Sequence, residues 1–116
     1  MSYVDGYILP IPRKQLKTYR RMAEMGRKAW MKHGAVDYKE SVGDDLAAKW
    51  GTSFKQAMKL KPGETVVFAY VVFKSRAHRD RVNAKVMMEM NEMGGSKDMP
   101  FDVKRMVYGG FKTIVE

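Results

Sequence analysis

A chain of 116 residues, 45% hydrophobic and 30% charged, is sized for one domain with a real core and is too short for two. It has no cysteine, which excludes disulfides and thiolate metal sites and agrees with a reducing compartment. A formal net charge of +9 favours anionic partners without choosing among them. The chain shows neither a charged-then-apolar leader nor an apolar run of membrane-spanning length, so a soluble cytoplasmic protein with no membrane partner is expected. Eleven methionines suggest a soft core or interface.

Tyr3 to Ile11 reads as a first strand that Pro10 and Pro12 end, and Gly6 in its middle marks a close approach of another element. From Arg13 to His33, Leu16, Tyr19, Ala23, Gly26 and Trp30 recur in steps of three and four, an amphipathic helix that Gly34 stops. The other face of this helix carries Arg13, Lys14, Lys17, Arg20, Arg21, Arg27, Lys28 and Lys32 against one acid, Glu24, and a solvated face is its plainest reading. Ala35 to Val42 is a more polar strand suited to a sheet edge. In the connection that follows, Ser53 and Gln56 have capping-box spacing, which predicts a short helix over Phe54 to Leu60.

Thr65 to Phe73 is an unbroken run of β-branched and aromatic residues behind Pro62-Gly63. It predicts a central strand covered on both faces, with Phe68, Tyr70 and Val72 on one and Val67, Ala69, Val71 and Phe73 on the other. Ser75 then caps a second long helix to about Met93, with Val82, Val86, Met90 and Met93 on one side and Gly94-Gly95-Ser96 as its stop. Met99 to Asp102 is a turn, and Arg105 to Val115 the last strand. The order is β-α-β-β-α-β, which predicts a single α+β domain over residues 1–116. It is ferredoxin-like, an antiparallel sheet with both helices on one face.

Two helices cover one side of such a sheet. The small residues Gly6, Ala69 and Gly109 are expected on the helix side. Tyr7, Leu9, Phe68, Tyr70, Val72, Met106 and Tyr108, with Asp5 among them, are expected on the other, an apolar patch that some partner must cover. Single-stranded RNA is one candidate: Phe68 to Phe73 matches the last six positions of the third-strand signature of RNA-recognition motifs, with Phe68, Tyr70 and Tyr7 as the stacking platform. Val66-Val67 stand where that signature has a basic residue and glycine, so this is the alternative rather than the leading reading.

A second copy of the sheet is the other candidate cover. Tyr3-Val4-Asp5-Gly6, Gly43-Asp44-Asp45, Glu64 to Phe68, Met99-Pro100-Phe101-Asp102, Lys104-Arg105-Met106 and Tyr108-Gly109-Gly110-Phe111 together resemble the YbaA family, a bacterial family of unknown function, over nearly the whole chain. Val103 and Val42 depart from that pattern, standing in place of a glycine and a tryptophan. The resemblance implies membership of the dimeric α/β-barrel superfamily, in which ferredoxin-like domains pair face to face as homodimers. It names no reaction. Superfamily members commonly use the cleft between sheet and helices for small organic substrates, which points to a small-molecule-binding or cofactor-independent enzyme-like protein. A purely structural or regulatory dimer is the remaining alternative.

Chemistry-bearing residues are few. His33 and His78 sit in no ligand motif, Gly94-Gly95 and Gly109-Gly110 lack the lysine and context of a phosphate loop, and no metal or cofactor is expected. Asp44-Asp45 read as turn chemistry. Asp5, a carboxylate within an apolar strand, requires a donor, with Arg105, Tyr7 and Tyr108 as candidates. A ligand pocket is therefore placed on the barrel-facing side around Asp5, Tyr7, Tyr38, Glu40, Tyr70, Arg105 and Tyr108, and the dimer interface around Leu9, Phe68, Val72 and Met106.

Overall fold

The computed structural model of the protein describes residues 1–94 and 99–116. Four strands, β1 (Tyr3–Pro12), β2 (Asp37–Val42), β3 (Glu64–Phe73) and β4 (Val107–Lys112), are interspersed with helices α1 (Leu16–Lys32), α2 (Phe54–Ala57) and α3 (Arg76–Glu92). The strands form one antiparallel sheet in the order β2-β3-β1-β4. This is an α+β architecture compatible with a ferredoxin-like arrangement, with β2 at the expected edge. No helix among the described residues is long and apolar enough to cross a membrane.

The alternation in β3 is the expected one. Val67, Ala69, Val71 and Phe73 are buried, Val67 in one core cluster and Val71 and Phe73 in another, while Phe68 on the other face is 46% exposed. The facing of β1 is not. Asp5 lies opposite Val71, Tyr7 opposite Ala69 and Leu9 opposite Val67. Residues paired across antiparallel strands share a face, so Asp5, Tyr7 and Leu9 belong to the helix side. Leu9 is 2% exposed in the core and Met106 packs against the same cluster, so neither lies on the open face where an interface was expected. Gly6 and Gly109 oppose each other on the open face, and the ring of Phe111, rather than a helix, takes up the space over Gly6. Both alternate sets of β1 are apolar enough to be buried, so periodicity alone does not choose between them; the register against β3 does.

Local signals set most element ends. Ser75 Oγ accepts from the His78 amide at 3.1 Å, and Ser53 and Gln56 complete the capping box. Helix α2 stops at Ala57, short of Leu60, and Lys59 turns to φ +49°. Gly34, at φ +110°, follows α1 as expected. Pro10 lies inside β1 instead of ending it: pairing with β4 runs only to Ile8, and a strand with one free flank tolerates a missing donor. At the C-terminal end, a 3-10 turn at Val103–Arg105, capped by the Asp102 carboxylate, replaces the expected start of the last strand. Helix α3 ends at Glu92 and Gly94 takes φ +87°; Gly95 and Ser96 of the expected stop lie outside the described residues.

The core is built from Val, Ile, Leu and Phe more than from methionine. Val82 and Val86 of α3 are buried with Phe73, whereas Met93, expected on the same stripe, is exposed. Met25, Met87 and Met88 are exposed as well. Phe73, with no exposed surface, is the largest side chain sealed in this way, and its removal leaves a cavity that neighbouring β-branched residues are too stiff to fill. Phe73→Ala is expected to lower unfolding stability by about 3–5 kcal/mol in chemical denaturation, whereas Phe68→Ala on the open face should lower it far less.

Candidate functional site

Asp5 is 4% exposed, and α3 supplies its partners. Asn83 Nδ2 donates to Asp5 Oδ2 at 3.1 Å, and Arg79 Nε lies 3.7 Å from Oδ1. Arg79 also donates to the Tyr3 hydroxyl at 3.0 Å, with its guanidinium 5.0 Å from the centre of that ring. Asn83 in turn accepts from Trp30 Nε1 at 2.9 Å, so one polar chain links β1, α3 and α1. Arg79 and Asn83 stand four residues apart and therefore present to one side of α3.

Two residues along β1, Tyr7 is half-buried and stacks on Tyr108, with centroids 5.8 Å apart and planes 13° apart. Tyr108 is 69% exposed, so this aromatic wall runs from solvent inward toward Asp5. Burial, followed by the charge of Asp5, pushes the Tyr7 hydroxyl up to about 12, with Arg79 acting in the opposite sense.

Glu40, on β2, is bracketed by two phenols. Tyr38 donates to Oε2 at 2.5 Å and Tyr19, from α1, donates to Oε1. Burial raises the pKa of both phenols, and the hydrogen bond to Glu40 raises it further, so both protons stay in place. Gly26 of α1 leaves the space that Tyr38 needs: a Cβ there would lie 3.1 Å from the Tyr38 hydroxyl. Trp30 stands 5.8 Å from the Tyr38 ring on the same side. Both oxygens of Glu40 are thus held in a fixed position by phenol donors.

Of the expected pocket residues, Asp5, Tyr7, Tyr38, Glu40 and Tyr108 share the helix-facing side of the sheet rather than the open one. Tyr70 lies on the open face, opposite Gly6 and Lys39. Arg105 is not a partner of Asp5. It donates to Glu64 at 2.7 and 3.0 Å and to the carbonyls of Met58 and Lys59 at 3.2 and 2.9 Å, tying down the turn before β3. The expected RNA platform is not assembled, because Phe68 and Tyr70 share the open face while Tyr7 faces the helices. Arg79, Asn83, Tyr19 and Trp30 are members that sequence reasoning missed. The signal for two of them was there: Arg79 and Asn83 fall at helical spacing on the side of α3 that carries the buried Val82 and Val86.

Neither histidine joins this cluster. His33 Nε2 is 3.0 Å from Glu89, and His78 Nδ1 accepts from the Lys74 amide at 3.0 Å. Among the described residues, no group of three or more His, Asp or Glu side chains is placed to hold a metal ion. Two surface concavities lie elsewhere. One, of about 1170 Å³, runs between Arg13 and the segment from Gly43 to Glu64; the other, of about 260 Å³, lies beside Phe101 and Arg105.

Residues 2–103 match the model of a family described as "Protein of unknown function (DUF1428)". The chain belongs to this family. It is 37% identical over 118 residues to the uncharacterized protein YbaA of Escherichia coli (strain K12) and, equally, to that of Shigella flexneri, covering 100% of this chain and 99% of each relative. Neither name assigns an activity. A de novo designed protein, Foldit4, aligns over 100% of both chains at 10% identity with a TM-score of 0.47, too distant a likeness to bear on the fold. The matched region contains Asp5, Tyr7, Tyr38, Glu40, Arg79 and Asn83, and leaves out Tyr108.

Two measurements check this geometry. In Asp5→Asn, the Tyr7 hydroxyl, isolated by subtracting the phenolate absorbance of Tyr7→Phe in the same background, should titrate below its parent value of about 12, because a neighbouring anion has gone. It should remain above the ordinary tyrosine value of about 10, because burial persists. Gly26→Ala should destabilise the fold although alanine is the better helix former by about 1 kcal/mol, and Tyr38→Phe should relieve part of that loss.

Proposed function

We propose that the chain is a single-domain homodimer that binds a small organic molecule, with enzyme-like chemistry in the cleft between sheet and helices. The supporting observation is that Asp5 and Glu40 lie on one face of the sheet, beneath two helices and among Tyr3, Tyr7, Tyr19, Tyr38 and Tyr108. Isolated carboxylates are costly to bury. Here they are retained and pinned by Arg79, Asn83, Tyr19 and Tyr38. The Tyr7–Tyr108 wall offers an apolar surface to a ligand approaching from solvent, and the carboxylates offer acceptors and proton exchange at its inner end. No cofactor is needed for chemistry of that kind.

Dimerisation accounts for the open face. Phe68, Val107 and Phe111 are 46, 57 and 61% exposed there, with Val4, Ile8, Tyr70 and Val72 half-buried beside them. Covering each large side chain contributes about 1.5–3 kcal/mol, enough in sum to hold two sheets together face to face, as in a ferredoxin-like pair closed into an α/β barrel. Because Asp5 and Glu40 lie on the face of each sheet away from the partner, the two copies would carry separate sites.

Light scattering at micromolar concentration is expected to give twice the chain mass, and Phe68→Asp with Phe111→Asp to give the single mass with the helical signal retained. A wild-type monomer sinks the barrel. Small molecules released on denaturation and identified by mass spectrometry are expected to be retained by the wild type and lost in Glu40→Gln. If the wild type retains none and a panel of organic acids leaves its melting temperature unmoved, the cleft is packing and not a site.

A further inference from the structure

We propose that the outward face of α1 is a docking surface for duplex nucleic acid, held through its phosphates without reading the bases. This is independent of the cleft and of the dimer, since it lies on the outer side of the helical layer.

Lys14, Lys17, Arg21 and Lys28 fall in steps of three, four and seven along one side of the helix and the 3-10 turn that precedes it, with the exposed Glu24 filling the seven-residue step on the same side. All four are exposed. Among the described residues none of them lies within ion-pair distance of a carboxylate; Glu24, the one acid of the helix, is 3.4 Å from Arg20, and Glu89 is taken by Lys32 and His33. The row is about 20 Å long at the rise of an α-helix. That length spans about six base pairs, within which each strand presents a phosphate every ~3.4 Å.

The rest of the helix decides which polyanion fits. A helix that lies on a membrane needs its apolar side free for the lipid. Here that side is committed to the sheet, with Tyr19 and Gly26 buried and Leu16 and Ala23 packed on the core. The row holds no aromatic residue on which a base could stack, so it offers charge to a backbone and nothing to an unpaired base. At its N-terminal end the path continues: the Arg13 amide donates to Gly63 at 2.8 Å, which places Arg13 on the lip of the larger concavity with Lys55 and Lys61. Asp44 and Glu64 also line that concavity, and Glu64 is engaged by Arg105. The Lys14–Lys28 row, whose one interposed acid, Glu24, pairs with Arg20, is therefore the stronger part of the surface.

The test is fluorescence anisotropy of a labelled mixed-sequence duplex with the full chain over a salt series. Four phosphate contacts predict that log affinity falls with log salt at a slope of about −3.6, with duplexes of unrelated sequence bound alike. Lys17→Glu with Arg21→Glu and Lys28→Glu should weaken binding more than tenfold at about 50 mM salt and flatten the slope. Lys59→Glu with Lys74→Glu and Lys112→Glu makes the same change in net charge elsewhere and should weaken it far less; circular dichroism confirms that both variants are folded. The proposal is overturned if no duplex binds at that salt, or if the two triple variants lose affinity equally. It is likewise overturned if a single strand of the same length binds more tightly than the duplex, or if phosphatidylglycerol vesicles bind and the duplex does not.

Discussion

A carboxylate removed from water costs several kcal/mol unless charged or hydrogen-bonding partners replace the water it loses. Asp5 sits under that constraint in the middle of β1, and both of its side-chain partners, Arg79 and Asn83, come from α3. Meeting it fixes how α3 is rotated about its axis. With Arg79 and Asn83 turned to Asp5, Val82 and Val86 fall against Phe73 and Val71, and the exposed residues of the helix turn outward. Trp30 binds the far side of Asn83, so the same interaction also registers α1 against α3. The polar chain thus works as a locating device in an otherwise slippery apolar interface. Its position is also why the candidate site and the packing of the helices are inseparable.

The second carboxylate shows a different solution. Glu40 lies on an edge strand and takes one phenol on each oxygen, from α1 and from its own strand. Phenols are weak acids made weaker by burial, so both keep their protons and hold Glu40 in place as donors. Asp5 is thus paired with a cation, whereas Glu40 is held by neutral donors.

The elements of the chain were legible because they rest on local signals: β-branched density in β3, the serine caps, the capping box and the glycine after α1. The facing of β1 was not, since Tyr3, Asp5, Tyr7, Leu9 and Ile11 compete with Val4, Ile8 and Pro10 for the core, and only pairing across strands decides between them. That one inversion carried Tyr7 and Asp5 to the other side of the sheet together, while Tyr70, on β3, stayed where alternation put it. Arg105 illustrates a second limit. Its partner Glu64 is distant along the chain, and nothing in the spacing of either residue distinguishes that pair from a pair with Asp5. Tyr38 and Glu40 shared a face as alternation required, but the reason for Gly26 became visible only once Tyr38 was seen beneath it.

The distribution of methionine has a chemical corollary. Oxidation to the sulfoxide turns a flexible apolar side chain into a polar one and disrupts any core that depends on it. Here Met25, Met87, Met88 and Met93 face water, while the sealed centre consists of Phe73, Ile11, Val71, Val82 and Val86, none of which carries sulfur. Oxidant entering from solvent meets thioethers whose conversion adds polarity to surfaces that are already wet. Oxidation at those exposed positions therefore leaves the sealed side chains chemically untouched, in contrast to Met22, Met31, Met90 and Met106, which pack on the core, and enzymatic reduction of the outer sulfoxides would find its substrates already accessible.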